Sequence, residues 1–110
     1  DTTSLEVNPL SNSALTSDGH PHPFKDGKIF VSDTYPNRRR MQELFLFDIE
    51  NSKKTTLGHF YHPKEFQSPD IYTHWCVDLH PRWSPSGRYI SFDSCNSGIR
   101  SHCILDLENE

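Results

Sequence analysis

The sequence predicts an all-β fold made of two antiparallel β-meanders, and three observations lead there. A stretch of the chain recurs at a fixed spacing, each copy pairs a glycine turn with a short strand of β-formers, and no segment carries a sustained 3.6-residue apolar period with helix caps. The recurring stretch runs from Asp18 to Asp33 and again from Asp78 to Asp93. Asp, His, Pro, Gly, a cation and the closing Asp coincide at an offset of 60 (His20 to His80).

Each copy opens with an X-Pro step, which holds its lead-in extended because proline pushes the preceding residue out of the α region. A polar turn follows, Lys25-Asp26-Gly27-Lys28 or Pro85-Ser86-Gly87-Arg88, whose glycine is free to take positive φ. Ile29 to Ser32 and Tyr89 to Phe92 then read as strands. After a polar linker come Leu44 to Asp48 and Cys103 to Asp106, each running into Asp-(Ile/Leu)-Glu-Asn, a turn sequence. A further strand is expected near Lys54 to Leu57 in the first copy.

The resulting organisation is a tail or remnant of a preceding unit over 1–15, a first meander over 16–58, an inserted loop over 59–77, and a second, incomplete meander over 78–110. Beginning at Asp1 without a methionine or an apolar leader, the chain reads as a processed or excised piece. The loop, with three histidines (His59, His62, His74), exceeds the length at which structureless loops become uncommon, and such loops often carry function.

Composition narrows the function classes. The chain has 110 residues and a formal net charge of −4, which speaks against a nucleic-acid module resting on bulk positive charge. Its one basic run, Arg38-Arg39-Arg40, falls in a hairpin linker and reads as solvated. No apolar stretch approaches the ~18 residues of a membrane span. Three cysteines (Cys76, Cys95, Cys103) with no C-x-x-C spacing read as small apolar residues, with one bridge plus a free thiol left open. Neither a nucleophile elbow nor a glycine-rich phosphate loop occurs.

The stretch His80-Pro81-Arg82-Trp83-Ser84-Pro85-Ser86-Gly87-Arg88-Tyr89-Ile90-Ser91-Phe92-Asp93 resembles the WD40-like repeat of TolB-type β-propellers. With His20-Pro21-His22-Pro23 and Asp33-Thr34-Tyr35-Pro36, it looks most similar to the oligogalacturonate-lyase-like propellers, over roughly residues 16–110. The resemblance implies two blades of a larger ring of about seven, the rest coming from the parent chain or another subunit. It also implies a divalent, manganese-like cation on the histidines of the H-P-H-P segment and metal-assisted β-elimination on oligouronides, so that an acidic oligosaccharide is the expected partner. Ser17 stands where that family has a glutamine. The other functions in view are a non-catalytic platform for a glycan or protein, and a purely structural blade pair.

The candidate metal ligands are accordingly His20 and His22, with His80 behind them. Alternation along an extended segment points His20 and His22 the same way, and His22 has no histidine partner in the second copy, where Arg82 replaces it. A histidine kept in both copies, as His20 and His80 are, equally suits hydrogen bonding within each blade. Arg82 is the candidate for a uronate carboxylate through bidentate pairing. Asp33 and Asp93 are candidates for sugar hydroxyls or, alternatively, turn aspartates that hold local backbone amides. No spacing among His59, His62, His74 and Cys76 matches a standard zinc site. The aromatics Phe60, Tyr61, Phe66, Tyr72 and Trp75 suit sugar stacking or the covering of a neighbouring blade. The catalytic base stays unassigned.

Overall fold

A computed structural model of the chain describes Leu15, residues 18–69 and residues 76–108. All of the expected tail over 1–15 except Leu15, together with Ser17, Tyr72, His74 and Trp75, lies outside the described residues. Within them the fold is all-β, with one three-residue 3-10 turn at Lys64–Phe66. Strands β1 (His22–Pro23), β2 (Ile29–Asp33), β3 (Met41–Asp48) and β4 (Lys53–Tyr61) form one antiparallel sheet in chain order. Strands β5 (Arg82–Trp83), β6 (Tyr89–Ser94) and β7 (Ser101–Asp106) form a second.

The internal repeat extends to individual hydrogen bonds. In the first sheet the Phe24 amide donates to Ile29 O and the Gly27 amide to Phe24 O, both at 2.8 Å. In the second the Ser84 amide donates to Tyr89 O at 2.8 Å and the Gly87 amide to Ser84 O at 3.0 Å. Both turn glycines are left-handed, with φ of 74° and 77°. Beside them Asp26 accepts the Lys28 amide at 3.0 Å, and Ser86 accepts the Arg88 amide at 3.3 Å. Serine thus does the aspartate's work in the second turn. Pairing matches as well: His22 faces Val31 as Arg82 faces Ser91, and Ile29 faces Asp48 as Tyr89 faces Asp106.

Strand lengths depart from the sequence reading at their ends. The strand β3 begins at Met41, because Asn37 Oδ1 accepts the Met41 amide at 3.0 Å and the Asn37 amide donates to Met41 O. The outer strand β4 passes Leu57 and continues to Tyr61, into the segment expected to be loop. A register shift opposite Leu44/Phe45 absorbs the change, so Leu44 faces Gly58 and Phe45 faces Thr56.

The two sheets share one core. Val31 and Leu44 from the first sheet are fully buried with Leu79, Ile90 and Phe92, while Leu46, Leu57, Phe60, Trp83 and Leu105 pack around them. Phe60 and Phe92 meet across the sheets with ring centroids 5.0 Å apart. Trp83 bonds twice to His22: its backbone amide donates to Nδ1 at 3.0 Å and its indole N–H to the carbonyl at 3.1 Å. The face that buries Val31 and half-buries Leu46 in the first sheet reappears in the second as Ser91 and Ile104, and Ile104 is 68% exposed.

Three glycine substitutions test this packing. Gly27→Ala meets open space but keeps a positive φ, which costs an L-residue roughly 1–2 kcal/mol. Gly87→Ala adds a Cβ 2.9 Å from the Phe24 ring and is expected to lose more. Gly19→Ala is the worst of the three, since its Cβ overlaps the Asp33 carbonyl oxygen. Urea melts should rank them in that order, and equal midpoints for Gly27→Ala and Gly87→Ala would contradict the packing of Phe24 on Gly87.

Candidate functional site

The chemistry gathers where the lead-ins of the two copies meet. Asp33 ends β2 and is 1% exposed, so its carboxylate has to be satisfied from within. Oδ1 accepts the His20 amide at 2.7 Å, and Oδ2 accepts the His80 amide at 3.0 Å. His20 Nδ1 lies 3.1 and 3.2 Å from the two oxygens. One carboxylate therefore joins the lead-in of the first sheet to that of the second. Gly19 makes this possible, because no side chain there obstructs the Asp33 backbone.

That contact also sets the histidine. A carboxylate only accepts, so Nδ1 of His20 carries the hydrogen, and in the neutral ring the lone pair falls on Nε2. His20 Nε2 points toward Asp78, whose Oδ2 is 3.9 Å away. The His80 ring stacks on His20 at 3.9 Å between centroids, tilted by 26°. The ligand atoms of His20, Asp78 and His80 all lie within 4.8 Å of one another. Asp78 Oδ1 is fully buried and has no hydrogen-bond partner of good geometry among the described residues. Two imidazoles and a carboxylate suit a borderline divalent cation, and a carboxylate behind one histidine is the usual way of orienting a ligand. His80 is exposed and sits at φ 45°, which leaves the group open on one side.

Tyr35 stands edge-on to His20, with centroids 5.5 Å apart. Its hydroxyl is pushed above the usual tyrosine range, first by burial and then by the negative charge of Asp78, Asp33 and Asp18. Tyr35 also lines a cavity of about 490 Å³ together with Asp18, Thr34, Asn37, Glu43 and His59. Burial works to raise Glu43, but hydrogen bonds from Lys54 (2.8 Å) and Thr56 (2.6 Å) outweigh it and hold its carboxyl below the ordinary value. The cavity is polar, and the charge around Tyr35 is negative.

A second cluster pairs a histidine with a cysteine. His62 is fully buried, and its Nε2 lies 3.4 Å from Cys76 Sγ. Arg40 Nη2 is 2.8 Å from His62 Nδ1. A guanidinium only donates, so Nδ1 is the acceptor and the ring hydrogen sits on Nε2, facing the sulfur. Burial and the guanidinium both push the His62 pKa down. Burial, then the charge of Asp78, pushes the Cys76 thiol up to about 12. His62 thus presents a hydrogen, not a lone pair, to an un-ionised thiol, the reverse of what a nucleophilic cysteine needs.

Of the residues singled out from sequence, His20, His80 and Asp33 come together. His22 is turned to the Trp83 amide and is not part of the converging group. Arg82 is exposed on β5. Asp93, the repeat counterpart of Asp33, contacts His102 at 3.0 Å and Arg100 at 3.5 Å. Those two contacts lower its carboxyl against the opposing effect of burial. Sequence reasoning missed Asp78 and Tyr35 as site residues. The signal for Asp78 was present, since it opens the second repeat as Asp18 opens the first.

No family model matches the chain, and neither a curated protein nor a solved structure matches it.

The thiol at Cys76 offers a direct check. Its raised pKa means that the stability tied to the protonated form is present below pH 9.0 and is lost as the pH climbs toward about 12. Iodoacetamide should label Cys76 more slowly than a free cysteine peptide throughout pH 7–9, as read by peptide mass spectrometry. Labelling as fast as the peptide would contradict the burial and tautomer described above.

Proposed function

We propose that the two meanders are successive blades of a β-propeller, and that the seam between them holds a divalent cation through which the protein binds an acidic oligosaccharide. The blade reading is supported by the repeat of turns, pairing and bonds between the two sheets. The observation that carries the cation is His20, fixed by buried Asp33 with Nε2 turned toward an Asp78 carboxylate whose Oδ1 has no hydrogen-bond partner of good geometry among the described residues. His20, Asp78 and His80 would be its ligands.

Charge makes the cation necessary for such a ligand. Asp18, Asp33 and Asp78 surround Tyr35 with negative potential, which repels a uronate carboxylate. A bound divalent ion reverses that sign and polarises the carboxylate it meets. The neighbouring cavity of about 490 Å³, with Tyr35, Asn37 and Glu43 on its wall, offers a ring to stack on and acceptors for hydroxyls. Elimination would require in addition a base beside the sugar C5, a role no residue is assigned.

Calorimetric titration of metal-stripped protein with manganese is expected to show one equivalent bound. His20→Ala and Asp78→Asn should abolish it, whereas His22→Ala should leave it within a factor of a few. An oligogalacturonide should then bind only to the manganese-loaded form, and the appearance of unsaturated product would move the assignment from platform to eliminase. No heat at millimolar manganese would overturn the cation site.

A further inference from the structure

Among the described residues Arg40 is in no ion pair. It sits at φ 62° just before β3, a left-handed conformation that non-glycine residues keep only where the surroundings enforce it. Its guanidinium is locked by three neutral acceptors. Nε donates to His62 O at 3.1 Å, and Nη2 donates to His62 Nδ1 at 2.8 Å and to Gln67 Oε1 at 2.7 Å. Among the described residues no carboxylate forms an ion pair with it, and Nη1 has no partner. A half-buried cation satisfied only by neutral groups retains most of its unmet electrostatic demand.

The side chain lines a cavity of about 320 Å³ with Lys64, Gln67, Ser68 and Pro69. Of these lining residues, all among the described ones, two are cations and none is a carboxylate. The exposed Arg38 and Arg39 precede Arg40 in the linker, adding positive charge nearby. This cavity is the electrostatic opposite of the one beside Tyr35.

We propose that it is an oxyanion site, in which Nη1 of the pre-set Arg40 guanidinium donates to a carboxylate or phosphate group and Lys64 adds charge at the rim. The Nε hydrogen and both Nη2 hydrogens are spent on His62 and Gln67, so Arg40 offers the two N–H bonds of Nη1, in a plane fixed before the ligand arrives. The site shares no residue with the seam of His20, Asp78 and His80, so it stands or falls separately from the cation.

The test is a titration of the whole chain, stripped of metal with a chelator so that the seam contributes nothing, followed by amide NMR. Inorganic phosphate and D-galacturonate are the two probes. Saturable shifts at Arg40, Lys64 and Gln67 are expected with at least one of them. Shifts with phosphate alone would assign a phosphoryl ligand, and shifts with galacturonate would assign a carboxylate. Exposed Lys64→Glu should weaken binding at least tenfold while leaving the His20 and His80 amides in place. Arg40→Lys, which keeps the charge and loses the fixed guanidinium, should weaken it further if the variant folds. Absence of saturable shifts with either probe, or binding indifferent to Lys64→Glu, would overturn the proposal.

Discussion

The rest of the structure depends on one buried carboxylate. Asp33 is taken out of water at the end of β2, and its cost is offset only because two backbone amides and a ring nitrogen converge on it. Those donors come from both copies of the repeat, so satisfying the charge also fixes how the second sheet sits against the first. Around that junction Val31, Leu44, Leu79, Ile90 and Phe92 exclude water. The apolar core supplies adhesion without direction, while the carboxylate supplies register. The same contact sets the His20 tautomer, so packing and candidate chemistry share a cause.

Repetition of sequence does not give repetition of role. Asp33 and Asp93 close equivalent strands, yet Asp33 reaches the lead-in of the next sheet and Asp93 turns to His102 and Arg100 in its own sheet. The difference follows from what lies alongside. The first sheet has the second packed on its Val31 face, whereas the equivalent face of the second carries Ser91, His102 and an exposed Ile104. Among the described residues Asp93 meets no second lead-in, and its contacts are His102 and Arg100. The two cavities diverge similarly, one ringed by carboxylates around Tyr35 and the other by Arg40 and Lys64.

The all-β class and the two meanders were legible in the sequence, because glycine turns, X-Pro steps and β-branched or aromatic runs act locally. Strand ends were less so. Asn37 starts β3 early through a side-chain bond, and β4 outruns Leu57 by shifting register opposite Leu44/Phe45, neither of which alternation alone reveals. The site was half legible. His20, His80 and Asp33 stood out because the repeat marks them, but the expectation that His20 and His22 act together rested on neighbouring positions in one segment. His22 instead meets Trp83, and the partners that converge on His20 come from a loop 60 positions away by repeat offset. Such a meeting is a property of tertiary packing. The Arg40–His62 pairing was hidden for the same reason, since a linker arginine reads as solvated until its acceptors are placed.

The most direct measurement of the central claim is amide hydrogen exchange at His20 and His80 in the native chain and in Asp33→Ala. If one carboxylate holds both lead-ins, its removal should cost protection at both amides together, with the Gly27 and Gly87 turn amides losing far less. Loss confined to His20, with His80 as protected as before, would show that the second sheet does not depend on Asp33 and would contradict the account.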